Sequence, residues 1–168
     1  MSRIAMLIAA VVGLVVGCAP SPGGVVNGST ITKAQALARI EQLIDGTVSV
    51  IQPEPELELH EPSLNDNRCL DPADGGSEDR IVVNRSYYLR GLPKDGLKEV
   101  VAQVKAYWER EGHHISAEAG NGLQLYGRTR PDDFLVTIGW TAGDVLSLGA
   151  TSTCLWPGGT PEPRPSGQ

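Results

Sequence analysis

The sequence predicts one α+β domain, a two-layer sandwich with an antiparallel sheet, one main helix packed on it and an N-terminal helix beside that helix or at its end. A sheet curved strongly around the main helix is the variant form. Three observations lead there. Leu97, Val100, Val101, Val104, Tyr107 and Trp108 recur at helical spacing. A meander of alternating residues follows them, punctuated by Asn121-Gly122, a hairpin signal. Near the start of the domain, Leu37, Ile40, Leu43 and Ile44 form a second helical stripe.

The elements follow in order. Thr30 or Thr32 caps a first helix that runs to Ile44, and Asp45-Gly46 is expected to stop it. Residues 47–52 are β-prone. Pro53 and Pro55 then keep the chain extended and away from a central strand. Glu54, Glu56, Glu58 and His60 alternate with Pro55, Leu57 and Leu59, which predicts an edge strand with its leucines toward the core. A cation site would require those carboxylates to converge, and along one strand they diverge. Residues 62–78 read as a polar loop; Asp71, Asp74, Glu78 and Asp79 lack the spacing of a calcium loop. Residues 80–90 read as one strand with Ile81, Val83, Tyr87 and Leu89 on one face, interrupted by Arg85. Asp95 is the expected N-cap of the main helix over 95–111, and Gly112 suits its left-handed C-terminal position. His113 and His114 enter the next strand on opposite faces. Strands over 115–119 and 123–128 flank 120–122. Phe134, Val136, Ile138 and Trp140 alternate in the next strand, and Leu146, Leu148 and Ala150 in the last. Cys154-Leu155-Trp156-Pro157 ends the fold, with residues 157–168 expected as a disordered Pro/Gly tail.

The N-terminus is organised differently. Arg3 precedes an uncharged apolar run over residues 4–16, which is short for a membrane span and matches the core of a secretory signal. The run closes on Val15-Val16-Gly17-Cys18, which resembles the lipobox of bacterial lipoproteins. The resemblance implies cleavage before Cys18, a diacylglycerol thioether on its sulfur and, often, an N-acyl chain. Residues 1–17 are then the signal peptide, 18–29 a Pro/Gly/Ser-rich tether and 30–156 the domain. Acyl chains contribute about 0.8 kcal/mol per buried CH₂, so two or three of them hold a soluble domain on a membrane.

The chain has three cysteines, an odd count for an exported protein. Lipid on Cys18 leaves Cys69 and Cys154, and an oxidising compartment favours a disulfide between them. Neither has a CxxC partner or a nearby histidine for a metal site.

The net charge is -6, and no basic stripe is present, which excludes nucleic acid as the expected partner. The same balance opposes adhesion to an anionic bilayer, so the lipid is the expected membrane contact. The sequence lacks a nucleophile elbow, HExxH, P-loop or dinucleotide fingerprint. No cofactor is expected.

The lipobox, the tether, an early and a late cysteine and Trp156-Pro157 together resemble the small exported lipoproteins of actinobacteria. The resemblance implies an address, the extracytoplasmic face of the cell membrane, without a chemistry. Three functions stand open: a non-catalytic module that binds an envelope partner, a carrier or sensor of a small apolar ligand, and a cell-wall hydrolase. The carrier places its ligand between helix and sheet, against Val104, Trp108, Val136 and Trp140. Arg85 either snorkels to the sheet rim or pairs with an anion in a cleft.

Overall fold

The computed structural model describes residues 28–69 and 76–161. The expected signal peptide, Cys18, Asp71, Asp74 and the last seven residues lie outside the described residues.

The first helix, α1 (Lys33–Val48), starts at Thr32. The Gln35 amide donates to the Thr32 hydroxyl, and the Thr32 amide donates to the Gln35 side chain. The helix does not stop at Asp45-Gly46 but runs four residues beyond Ile44, so residues 47 and 48 are helical and no strand forms over 47–52. Gly46 serves packing instead. A Cβ there would collide with the hydroxyl of Tyr107 on the second helix. Thr47, 1% exposed, donates to Leu43 O and accepts from Trp108 Nε1 at 2.9 Å.

The strands are β1 (Glu56–Leu59), β2 (Asn67–Arg68), β3 (Ile81–Val82) and β4 (Asn84–Arg90) before the second helix, α2 (Leu97–Arg110). After it come β5 (His114–Ala119), β6 (Gln124–Arg128), β7 (Leu135–Thr141) and β8 (Val145–Thr151). Six strands form one antiparallel sheet in the order β1-β4-β8-β7-β6-β5. Chain-adjacent strands from β5 to β8 pair as a meander, and β4 closes on β8, so α2 carries the chain from one half of the sheet to the far edge.

Two boundaries differ from expectation. The 80–90 segment is not one strand: β3 leaves the main sheet to pair with β2, while Val83 sits buried between the pieces, its amide bonded to the Ser152 hydroxyl. Asp95 falls in a short 3₁₀ turn over Lys94–Gly96, and α2 begins at Leu97 without a side-chain cap. Its end is as expected, with Gly112 left-handed at φ +78°.

Both helices lie on one face of the sheet, α1 over β4 and β8 and α2 over β5 and β6. The protein is the α+β sandwich that the sequence predicts. Its core joins Ile40 and Ile44 of α1, Val100, Val104 and Trp108 of α2, and Leu125, Val136, Ile138, Leu146 and Leu148 of the sheet. Gly127 lets α2 approach the sheet closely: a Cβ there would lie 3.1 Å from Val136 and 3.2 Å from the Trp108 ring. Leu57 and Leu59 share the helix-facing side with Leu89 and Tyr87 but stay 38% and 37% exposed, because edge strand β1 projects past the helical cover.

Cys69 and Cys154 are disulfide-bonded, with Cα atoms 5.6 Å apart at a sequence separation of 85. The bond joins the residue after β2 to the segment after β8, where Ile81 and Leu155 also exchange backbone hydrogen bonds. The ends of the described chain meet nearby. The Trp156 indole donates to Gly28 O, the Trp156 amide to the Thr30 hydroxyl, and the Thr30 amide to Gly159 O. The folded body therefore extends past both expected limits, to include Gly28 on one side and Gly159 on the other.

Candidate functional site

The four residues expected to line an apolar site do not form one. Val104, Trp108 and Val136 come together but are 0%, 1% and 2% exposed, packed over Gly127 and fixed by the indole bond to Thr47. A ligand held there would have to displace Trp108. Trp140 is separate and 46% exposed. It occupies the penultimate position of β7, beside the 142–144 turn, and its indole points to Asp144 Oδ1 at 3.4 Å. Alternation alone assigned it to the core; at the strand end the cover runs out.

Arg85 is engaged within the fold. Its guanidinium donates to Asn84 O at 2.7 Å and lies 3.7 Å from the Glu41 carboxylate on α1. Glu41 also accepts from the Tyr87 hydroxyl at 2.9 Å. Burial first, and this hydrogen bond second, push the Tyr87 phenol up to about 12. The anion that Arg85 meets is thus a helix side chain.

The alternating Glu54–His60 stretch pairs across the strand in the same way. Glu58 holds Arg90 through two hydrogen bonds of 2.8 and 2.9 Å. His60 Nδ1 is 2.9 Å from the Tyr88 hydroxyl, and the Arg90 guanidinium stacks 5.1 Å from the Tyr88 ring centroid. An opening of about 270 Å³ adjoins Tyr88 and Arg90, lined also by Thr141, Ala142 and Val145. Among the described residues, no group of three or more His, Cys, Asp or Glu side chains is placed to hold a metal ion.

A larger cleft, about 430 Å³, lies at the other end of the sheet, lined by His114, Arg128, Thr129, Arg130, Pro131 and Asp133. The loop between β6 and β7 builds it. Thr129, 1% exposed, accepts from the Phe134 amide through its hydroxyl and donates to Asp132 at 2.5 Å. Its backbone bonds both Phe134 and Asp133. Asp132 in turn accepts from Arg39 Nε of α1 at 2.7 Å. Burial opposes ionisation of Asp132, but the Thr129 and Arg39 hydrogen bonds outweigh it and hold the carboxyl below its usual range. Behind the loop, His113 Nδ1 is buried without a hydrogen-bond partner. Burial, and then the nearby Arg39 charge, depress the His113 imidazole, which favours its neutral form.

The sequence reading missed this cleft. In sequence Asp132-Asp133 is an ordinary charge pair beside a turn. The signal was Arg128-Thr129-Arg130-Pro131-Asp132-Asp133, four charges in a six-residue turn of a chain only 20% charged.

Comparisons with protein-family models, with curated proteins and with solved structures found no match.

Proposed function

We propose that the chain is an extracytoplasmic lipoprotein held on the cell membrane by lipid on Cys18, and that its domain is a non-catalytic module for binding at the envelope. The observation that carries this is Val15-Val16-Gly17-Cys18 closing an uncharged apolar run. The Cys69–Cys154 disulfide supports the compartment, because structural disulfides persist where the surroundings are oxidising. Among the described residues no helix is long and apolar enough to cross a membrane. From Cys18 to Gly28, where the chain joins the fold, the reach is at most about 35 Å. The domain works within that distance of the bilayer.

The binding role is supported by how the polar residues are used. Arg85, Glu58 and His60 are each engaged by a partner of the fold, Glu41, Arg90 and Tyr88 respectively, whereas the 129–134 loop presents charge to an open cleft.

The test is fractionation after expression in a bacterium that processes lipoproteins. The parent protein should sediment with membranes and partition into detergent. Cys18→Ala should accumulate unprocessed or appear in the soluble exported fraction. Equal acylation of both forms would overturn the lipid assignment.

A further inference from the structure

We infer that the cleft between β5 and the β6–β7 loop is a binding site for a phosphate group. Arg128 and Arg130 enter it from one loop, and His114 enters from the facing strand, opposite Arg128 in the sheet register. No protein partner engages the Arg130 side chain among the described residues, and Arg130 is exposed at the opening. Guanidinium groups offer forked donors that match phosphate oxygens. Two of them, less the Asp133 carboxylate, leave the lining cationic in a chain whose net charge is -6. Charge of one sign in a concave site focuses the field on a ligand of the other.

Asp133 is the competitor already in place. Its carboxylate lies 3.9 Å from Arg128 Nη1 and is 69% exposed. An exposed ion pair of this kind contributes only about 0–1 kcal/mol, so a phosphate can displace it. The loop needs no further ordering to present these groups. Thr129 is locked by its bonds to Phe134, Asp133 and Asp132, and Asp132 is tied to α1 through Arg39. A rigid loop that carries exposed charge binds without the entropic cost of ordering. Pro131 supplies an apolar wall for whatever bears the phosphate.

The phosphate has two possible sources, a soluble phosphorylated molecule and the headgroup of a lipid in the adjacent membrane. The experiment separates them. Full-length protein purified in detergent is titrated with inorganic phosphate and, in parallel, with a short-chain phosphatidic acid, with binding read by calorimetry. Saturable binding of inorganic phosphate assigns a soluble source, and saturable binding of the lipid alone assigns the headgroup. In either arm Arg130→Ala should weaken binding at least tenfold. Asp133→Asn should tighten it several-fold, since the competing charge is gone. Lys98→Ala, an exposed position on α2, should leave it unchanged. Arg130 is exposed and has no partner among the described residues, so its replacement leaves the fold intact, and unchanged melting checks this. No saturation in either arm, or equal weakening by Arg130→Ala and Lys98→Ala, would overturn the site. The result does not depend on how the chain is attached to the membrane.

Discussion

The seam under α1 and α2 and the loop from Thr129 to Phe134 are both tightly held, by opposite means. The seam is apolar. Trp108 lies on a glycine, Gly46 lies under a tyrosine hydroxyl, and a buried indole–hydroxyl bond links the two helices. The loop is polar. Its order comes from hydrogen bonds around one buried threonine and from an ion pair to α1. Rigidity in the seam is what burying a core requires. The loop also buries Phe134, and its hydrogen bonds fix charged groups at an open cleft. Close packing therefore marks the seam, and hydrogen-bonded order marks the loop beside the cleft.

Substitutions should separate the two halves. Trp108→Ala removes a fully buried indole and its hydrogen bond to Thr47; it should destabilise by about 3–5 kcal/mol in denaturant melts. Phosphate affinity of the fraction that remains folded should be little changed. Cys69→Ser should cost about 2–4 kcal/mol, since the bridge closes a long loop. Equal melting of oxidised parent and variant would mean that the bond does not constrain the chain. Thr129→Val keeps the volume but removes the hydroxyl bonds to Phe134 and Asp132. It should cost about 1–2 kcal/mol and, unlike Trp108→Ala, should also weaken phosphate binding. A variant that lost stability alone would erase the distinction between loop and seam.

The smallest effect is one of pH. The folded protein depresses the His113 imidazole, so below about pH 6.5 the unfolded chain binds more protons than the native one. Stability should be fully present above that pH and should fall as the pH drops through it. His113→Gln should flatten this part of the profile. Asp132 adds a second decline further down, as the pH falls below about 4, because its carboxyl is also depressed. Asp132→Asn should shrink that lower step.

Much of the seam was legible in the sequence. The stripe on α2, the meander and the cysteine pair follow from periodicity and from counting, and the fold class follows from them. The errors share one cause: local signals were read without their tertiary partners. Gly46 looked like a helix stop because a glycine seldom continues a helix without a reason. The reason here is Tyr107, sixty-one residues away. Trp140 alternates correctly with Val136 and Ile138, yet alternation reports a face and not where the cover ends. Asp95 is a good capping residue, but the 3₁₀ turn before α2 displaced it. The loop was the least legible region. Its charges are visible in the sequence, while their convergence with His114 depends on the β5–β6 pairing and on Arg39 from a distant helix.

The measurement that tests the account most directly is the intact mass of the protein extracted gently from the membranes of a lipoprotein-processing bacterium. The expected mass is that of residues 18–168 with a diacylglycerol-based modification on Cys18, two hydrogens lighter for the Cys69–Cys154 bond. A mass that retained residues 1–17, or a processed chain with an unmodified Cys18, would contradict the lipid anchor. A gain of two hydrogens would contradict the closed bridge.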